Sequence, residues 1–366
     1  MITAAVHAGE HVGIQAAIEL AESLQLNQAG SKSLIKNCKT PKEKLHHLFI
    51  YIFKVFINVA FCVAFVTAYS MIFGNDNSIV GVVILLCILV FRNVDLGIHA
   101  PQSLLSLSAI FLILTFGPKA ANLLGAFGGL LINFVCIWIL MVLGCHNVIY
   151  YNHSTLVLGY LLLFGYDASG SAYTMRLFAM LFGFILTGVV FWRNHRKKTY
   201  KRGLRDLFNE FNLHSSRSRW QLLMASAVSS VIFIASILNL PRAMWAGIAA
   251  MSVLLPFRTD IKKRVCGRIP GNLLGGLIFF LIFPHLPAGL YSVVGIVGGI
   301  GVGFSASYGW QAVFNSLGAM MIAVSVIGFP QAVFFRIAQN IFGSLYALCF
   351  EKIFHTVTER KLESKI

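Results

Sequence analysis

Residues 176–191 read RLFAMLFGFILTGVVF, and residues 336–350 read RIAQNIFGSLYALCF. Each stretch carries one charge, an arginine at its first position, and in each a Phe-Gly pair follows six and seven residues later. Nearly charge-free stretches of this length predict helices that cross a membrane. An arginine at such a place is costly in lipid unless it faces protein, water or a ligand. The shared spacing indicates two copies of one structural unit.

The rest of the chain has the same apolar character. Of its 366 residues, 57% are hydrophobic and only 11% are charged. Soluble domains carry about 25% charged residues, so the composition excludes that class. Apolar stretches of about 20 residues, the length that crosses the hydrocarbon core, recur from Ile50 onward. We therefore predict an all-α, polytopic membrane protein.

Twelve transmembrane helices fit the hydropathy pattern. In the first half we place them at residues 50–73, 78–92, 100–117, 120–143, 147–166 and 173–192. In the second half we place them at residues 220–239, 243–257, 269–284, 288–306, 309–328 and 331–350. Three motifs recur in the same order in both halves: Pro-x2-Leu-Leu, Gly-x2-Gly-Gly-x4-Phe and Arg-x5-Phe-Gly. We expect two parallel six-helix repeats, a known plan of transporters.

This plan divides the chain into five parts. We predict a cytosolic amphipathic N-terminal segment (1–47), a first repeat (48–192), a basic cytosolic linker (193–219), a second repeat (220–350) and a cytosolic tail (351–366). In the linker, apolar residues at helical spacing predict a short amphipathic helix.

The positive charge of the chain is read as a topology signal. The formal net charge is +16, but the basic residues cluster beside the hydrophobic stretches. With the N-terminus inside, only Lys119, Arg176, Arg242 and Arg336 fall outside, which leaves 25 of the 29 Lys and Arg on the cytosolic side. We predict a multi-pass protein of the cell (plasma or inner) membrane with both termini cytosolic. Its partner is the lipid bilayer and not nucleic acid, and a homo-oligomer is allowed.

The sequence contains none of the common motifs of hydrolytic enzymes or metal sites. The chain has no Gly-x4-Gly-Lys-Ser/Thr, no His-Glu-x2-His and no Cys-x2-Cys pair. We expect no enzyme activity, no cofactor and no metal site.

The basic segment that enters the ninth predicted span carries a family resemblance. Residues 258–275 read RTDIKKRVCGRIPGNLLG. Arg268, Gly271 and Gly275 match the pattern Arg-x2-Gly-Thr-x2-Gly, with Asn272 in the place of Thr. This segment resembles the fusaric acid resistance family, which includes aromatic acid exporters and has plant aluminium-activated malate channels as distant relatives.

The resemblance implies a transporter that exports small organic anions, aromatic ones foremost. We expect Arg258, Arg264 and Arg268 to capture the anion on the cytosolic side, and Arg176 with Arg336 to line its exit. The alternatives are an anion channel of the same architecture and a lipid-handling or scaffold protein. The two exit arginines could also snorkel to the outer headgroups.

Two further sets of residues are candidates. Polar and aromatic side chains at the start of the fifth span of each half could bind an aromatic carboxylate, or simply mark the membrane interface: Tyr150, Tyr151, Asn152, Trp310, Gln311 and Asn315. Small residues at four-residue spacing predict close helix packing: Gly125, Gly129, Gly271, Gly275, Gly295, Gly299 and Gly303.

Overall fold

The computed structural model describes residues 40–256, 258–305 and 307–363. Thirteen α-helices and short 3-10 turns make up this part of the chain, and it contains no β-strand. The all-α, polytopic prediction is confirmed. The predicted N-terminal amphipathic helix lies outside the described residues.

Each predicted span corresponds to one helix. The first half holds α1 (Pro41–Phe73), α2 (Ser78–Asn93), α3 (Ala100–Leu123), α4 (Gly125–Gly144), α5 (His153–Gly165) and α6 (Gly170–His195). The linker holds α7 (Leu204–Asn209). The second half holds α8 (Ser216–Ile237), α9 (Met244–Val253), α10 (Arg258–Ile282), α11 (Tyr291–Phe304), α12 (Tyr308–Ile327) and α13 (Phe329–Glu363).

The helices differ in length. Within the described residues, nine helices are long and apolar enough to cross a membrane. Helices α5, α9 and α11 have 13, 10 and 14 residues. At ~1.5 Å per residue each covers only about 15 to 21 Å, less than the ~30 Å hydrocarbon core. None of these three helices therefore spans the hydrocarbon core alone, and adjoining segments of the chain must cover the remaining thickness.

Two long helices extend beyond the predicted spans. Helix α1 begins at Pro41 because Thr40 caps it, accepting a 3.3 Å hydrogen bond from the Glu43 backbone N–H. Helix α13 continues to Glu363, past the apolar part of its sequence. Hydropathy finds the membrane-spanning part of a helix and not its polar extensions.

Matching helices make matching contacts within each half. Helix α1 packs on α2 and α8 packs on α9, while α6 packs on α2 and α13 packs on α9. The glycine of the Arg-x5-Phe-Gly motif lies at the second of these crossings. A Cβ at Gly183 would collide with Ile84, and one at Gly343 would collide with the carbonyl oxygen of Ala246. The motif therefore makes the same kind of helix crossing twice.

The two halves meet along three helix pairs. Helix α4 packs closely on α8, α5 packs on α9, and α1 touches α11. At the last contact the Tyr51 hydroxyl donates a 3.0 Å hydrogen bond to the Gly303 carbonyl, and a Cβ at Gly303 would lie 3.2 Å from Val55. The predicted packing glycine Gly303 thus lies at a contact between halves.

The basic linker is fastened to the first half. Lys198 and Tyr200 donate hydrogen bonds of 2.7 and 2.9 Å to Asp95, in the loop after α2. Burial alone would raise the pKa of Asp95, but these two donors and the Gly97 N–H outweigh it and lower the pKa. Helix α7 falls where the apolar spacing predicted it, with Leu207 buried.

Candidate functional site

Five residues of the second half form what we call the arginine–tyrosine cluster: Ser252, Arg264, Arg268, Tyr308 and Asn340. Arg268 donates from Nε to Asn340 Oδ1 at 3.1 Å and from Nη1 to the Tyr308 hydroxyl at 2.8 Å. That hydroxyl donates in turn to Ser252 Oγ at 3.1 Å. The cluster therefore joins helices α9, α10, α12 and α13.

Helix geometry brings two cations to one tyrosine. Arg264 and Arg268 are four residues apart on α10 and share a face. The Arg264 guanidinium carbon lies 4.1 Å from the centre of the Tyr308 ring, a cation–π distance. Close approach of α10 and α12 makes this possible, because a Cβ at Gly271 would collide with the Gly309 carbonyl, and one at Gly275 would lie 2.5 Å from the Val313 carbonyl oxygen.

The charges of the cluster have no acidic partner within the described part of the chain. Arg268 is 4% exposed and Arg264 is half-buried. Among the described residues, no carboxylate forms an ion pair with either guanidinium. A buried cation without a countercharge is costly, and inside a membrane it marks a functional site by default.

A buried polar chain leads from the cluster to Arg336. Asn340 Nδ2 donates to the Arg336 carbonyl at 2.7 Å, and the Arg336 guanidinium lies 5.3 Å from the centre of the Trp245 ring. Asn340 comes eleven residues after the start of α13, which places it about 16 Å along that helix. Neighbouring α13 side chains are buried as well: Gln339 and Ser344. The second half thus has a polar interior.

A second branch follows α10 and α12. Asn272 donates to the Arg268 carbonyl at 2.9 Å, and Ser316 donates to Asn272 Oδ1 at 2.6 Å. All three side chains are buried. Asn272, which replaces the usual Thr of the family motif, therefore keeps a hydrogen-bonding role.

The first half contributes polar atoms beside the cluster. His153, at the start of α5, is buried, lies within electrostatic range of Arg264, and packs edge-on against Trp220 with ring centres 5.1 Å apart. Two buried atoms here have no hydrogen-bond partner among the described residues: His153 Nδ1 and Asn152 Oδ1. Unpaired buried polar atoms call for an explanation, and a ligand or water is one.

The predicted exit arginines contact equivalent places in the two halves. Arg176 donates to Asn77 Oδ1 at 3.1 Å and to the Asp76 carbonyl at 3.2 Å, just before α2. Arg336 stacks on Trp245, at the start of α9. Both are buried. Arg176 thereby fixes the α1–α2 loop, a role that the sequence did not indicate.

The predicted residues at the start of the fifth spans lie apart. Tyr151 adopts a left-handed conformation (φ 51°), Asn152 donates to the Gly144 carbonyl at 2.8 Å, and Tyr150 is exposed. In the second half Trp310 is exposed while Gln311 is buried and Asn315 is partly buried. No hydrogen bond or ring contact joins the two groups in the described part of the chain. The side chain of Arg258 is outside that part.

One predicted packing glycine has a different role. Gly125 has φ +66°, and a Cβ there would meet nothing within 4 Å. It makes the turn between α3 and α4 and does not pack against a helix, because only glycine adopts this conformation easily. Gly129 does pack, since a Cβ there would lie 2.9 Å from the Ala121 carbonyl oxygen. Gly295 and Gly299 are buried in α11.

Several residues of the site escaped the sequence analysis. The sequence patterns did not single out Tyr308, Asn340 or Ser252. The available signal was polarity inside apolar spans, as in Arg336-x2-Gln339-Asn340. Such residues are rare in membrane helices and face the interior of a bundle.

The long apolar helices of the described residues define a multi-pass α-helical membrane protein. Residues 227–350 match the family described as fusaric acid resistance protein-like, which confirms the resemblance for this part of the chain. The match includes the whole arginine–tyrosine cluster. No curated protein matches the chain, and no solved structure does. The link to aluminium-activated malate channels stays a prediction.

Proposed function

We propose that the protein exports small organic anions, aromatic carboxylates foremost, and that the arginine–tyrosine cluster binds them. One observation carries the proposal: Arg264 and Arg268 converge on Tyr308, and no carboxylate of the described residues pairs with either. The family match supports a role in transport or resistance. The basic residues that fix the predicted orientation put the cluster within reach of the cytosol.

The chemistry of the cluster suits an aromatic carboxylate. A guanidinium group binds a carboxylate through two parallel hydrogen bonds, and Arg264 contacts Tyr308 through the face of its guanidinium and not through its N–H groups. The Tyr308 ring, which is only partly buried, offers a surface on which an aromatic ligand can pack. Cations are repelled by the same two charges.

The route follows the polar interior of the second half. In this proposal an anion that leaves Arg268 passes Asn340 and then Arg336, which lies one helical turn nearer the start of α13. Arg176 occupies the equivalent place in the first half, and the matched contacts of the two Arg-x5-Phe-Gly motifs support an internal duplication. Arg336 is thus our candidate for the exit.

Transport in liposomes tests this proposal. The purified protein is reconstituted, and uptake of radiolabelled 4-hydroxybenzoate is compared with uptake of 4-hydroxybenzylamine, a cation of similar shape. We expect saturable uptake of the anion only. Arg264→Gln and Arg268→Gln should each raise KM roughly tenfold or more, because a hydrogen bond to a charged group is worth about 1.5–3 kcal/mol.

Lys263→Gln is the matched control, since Lys263 is an exposed cation on the same helix. Its uptake should equal that of the wild type. Equal KM values in all three variants would remove the cluster from the mechanism. Trans-stimulation by unlabelled anion indicates a carrier, whereas unitary currents indicate the channel alternative.

A further inference from the structure

A lateral groove of about 620 Å³ lies between α3 and α6, in the first half and away from the arginine–tyrosine cluster. Its wall is apolar except at one end: Leu104, Phe184, Ile185, Gly188, Val189 and Trp192, followed by Arg193 and Arg196. This volume falls within the ~300–1,000 Å³ typical of ligand sites.

The floor of the groove is open because of a glycine. A Cβ at Gly188 would meet only Leu104, at 3.9 Å. Ile185, three residues before Gly188, and Val189, directly after it, are 52% and 62% exposed, so this face of α6 has no protein partner among the described residues. The groove lies in the membrane-spanning part of α6 and can hold an extended hydrocarbon chain.

The cations at the end of the groove are free to bind an anion. Arg193 and Arg196 are exposed, and within the described residues neither side chain makes an ion pair or hydrogen bond. They follow Trp192, an aromatic residue of the kind that gathers at headgroup level. Leu104, near the start of α3, places the groove at the same end of the bundle as the basic linker.

We infer that this groove is a binding site for an anionic phospholipid. One acyl chain lies along Phe184, Gly188 and Trp192, and the headgroup phosphate is bound by Arg193 and Arg196. Charge complementarity selects this occupant, because each cation near an anionic headgroup is worth roughly fivefold in affinity. An aromatic substrate would leave most of the apolar length empty.

Quenching of Trp192 fluorescence tests the inference. The full-length protein is reconstituted in phosphatidylcholine vesicles that contain a small, fixed fraction of acyl-brominated lipid, either phosphatidylglycerol or phosphatidylcholine. The contribution of Trp192 is the difference between wild type and Trp192→Phe. We expect brominated phosphatidylglycerol to quench this contribution at least fivefold more effectively per mole.

Three variants make the result specific. Arg193→Gln with Arg196→Gln should abolish the preference for phosphatidylglycerol, whereas Lys197→Gln with Lys201→Gln, exposed cations outside the groove, should keep it. Gly188→Leu should reduce quenching by both lipids because it fills the floor. Equal quenching by the two lipids in the wild type would overturn the inference. So would a preference that survives loss of both arginines, or quenching that 4-hydroxybenzoate suppresses.

Discussion

Arg268 donates a 3.1 Å hydrogen bond to Asn340, the residue one turn along α13 from Arg336. From the sequence, Arg268 was expected at the entrance of the pathway and Arg336 at its exit. A single asparagine links them in the structure. The Asn340 side chain connects the Arg268 guanidinium to the backbone carbonyl of Arg336, so a change at Asn340 acts first on Arg268.

Asn340→Asp should separate stability from function. The new carboxylate would pair with Arg268 and neutralise it, which offsets the loss of the Nδ2 hydrogen bond to the Arg336 carbonyl, so the melting temperature should change little. Anion binding should weaken tenfold or more, because the site then carries its own internal anion. Thermal unfolding in detergent and the KM for 4-hydroxybenzoate measure both effects. Asn194→Asp, at an exposed position of α6, is the control. A drop in both stability and affinity would point to a merely structural asparagine.

Gly271→Ala should disrupt the contact between α10 and α12. Alanine favours a helix over glycine by about 0.5–1 kcal/mol. Here that gain is outweighed, because the added Cβ would collide with the backbone of Gly309 and lie 2.8 Å from the Ala312 Cβ. We expect a net loss of about 1–3 kcal/mol. Gly188→Ala, in an open stretch of helix α6, should be neutral or stabilising. Equal melting temperatures for the two variants would contradict the close packing.

The attachment of the basic linker to the first half, through His146, should weaken as the pH falls. Burial and the charge of Arg217, with a smaller effect of Arg202, lower the pKa of His146, and Glu210 only partly opposes them. The folded protein thus holds His146 neutral, accepting a 2.9 Å hydrogen bond from Arg202. The stabilisation that neutral His146 gives the folded protein is complete above the unfolded pKa of about 6.5. It is lost as the pH falls through that value toward the lowered pKa of the folded protein.

Hydrogen exchange of residues 196–219 measures this effect. The protection factors, which are exchange rates corrected for the intrinsic pH dependence, should fall in the wild type as the pH drops from about 7 to 5.5, and His146→Phe should abolish this excess loss of protection. His214→Phe, at an exposed linker position, should leave it unchanged. An excess that persists without His146 would assign the pH dependence elsewhere.

The two motif arginines should respond differently to substitution. Arg176 is hydrogen-bonded to Asn77 and to the Asp76 carbonyl, so Arg176→Gln should lower stability by about 1–3 kcal/mol. Arg336 lies on the buried polar chain, so Arg336→Gln should mainly slow anion transport. Unfolding and transport rates of the two single variants provide the comparison. Unchanged anion flux in a folded Arg176→Ala, Arg336→Ala double variant would remove both from the pathway.

Hydropathy predicted a helix in each of the twelve places because the segments are apolar and nearly uncharged, and nine of these helices in the described residues are also long enough to cross a membrane. It overestimated α9, which ends at Val253, since Leu254 and Leu255 are apolar without being helical and Pro256 follows. A hydropathy window counts side chains and does not detect where the backbone leaves the helix.

The sequence predicted the arginines of the site but not their hydrogen-bonding and ring partners. Arg264 and Arg268 stood out as charges beside a motif, but their partners lie far along the chain: Tyr308 is 40 residues and Asn340 is 72 residues from Arg268. Those pairings depend on which helices pack together, and the packing is set by glycines such as Gly271. Gly125 and Gly129 have the same four-residue spacing as the other predicted packing glycines. Only the arrangement of the helices decides that Gly129 packs closely while Gly125 makes a turn.

Equilibrium binding of radiolabelled 4-hydroxybenzoate to the detergent-purified protein tests the central claim most directly. The wild type and Lys263→Gln should bind the anion with equal affinity, and 4-hydroxybenzylamine should not compete. Arg264→Gln and Arg268→Gln, folded as judged by size exclusion, should bind it at least tenfold more weakly. Wild-type affinity in either folded arginine variant would contradict the assignment of the arginine–tyrosine cluster as the anion site.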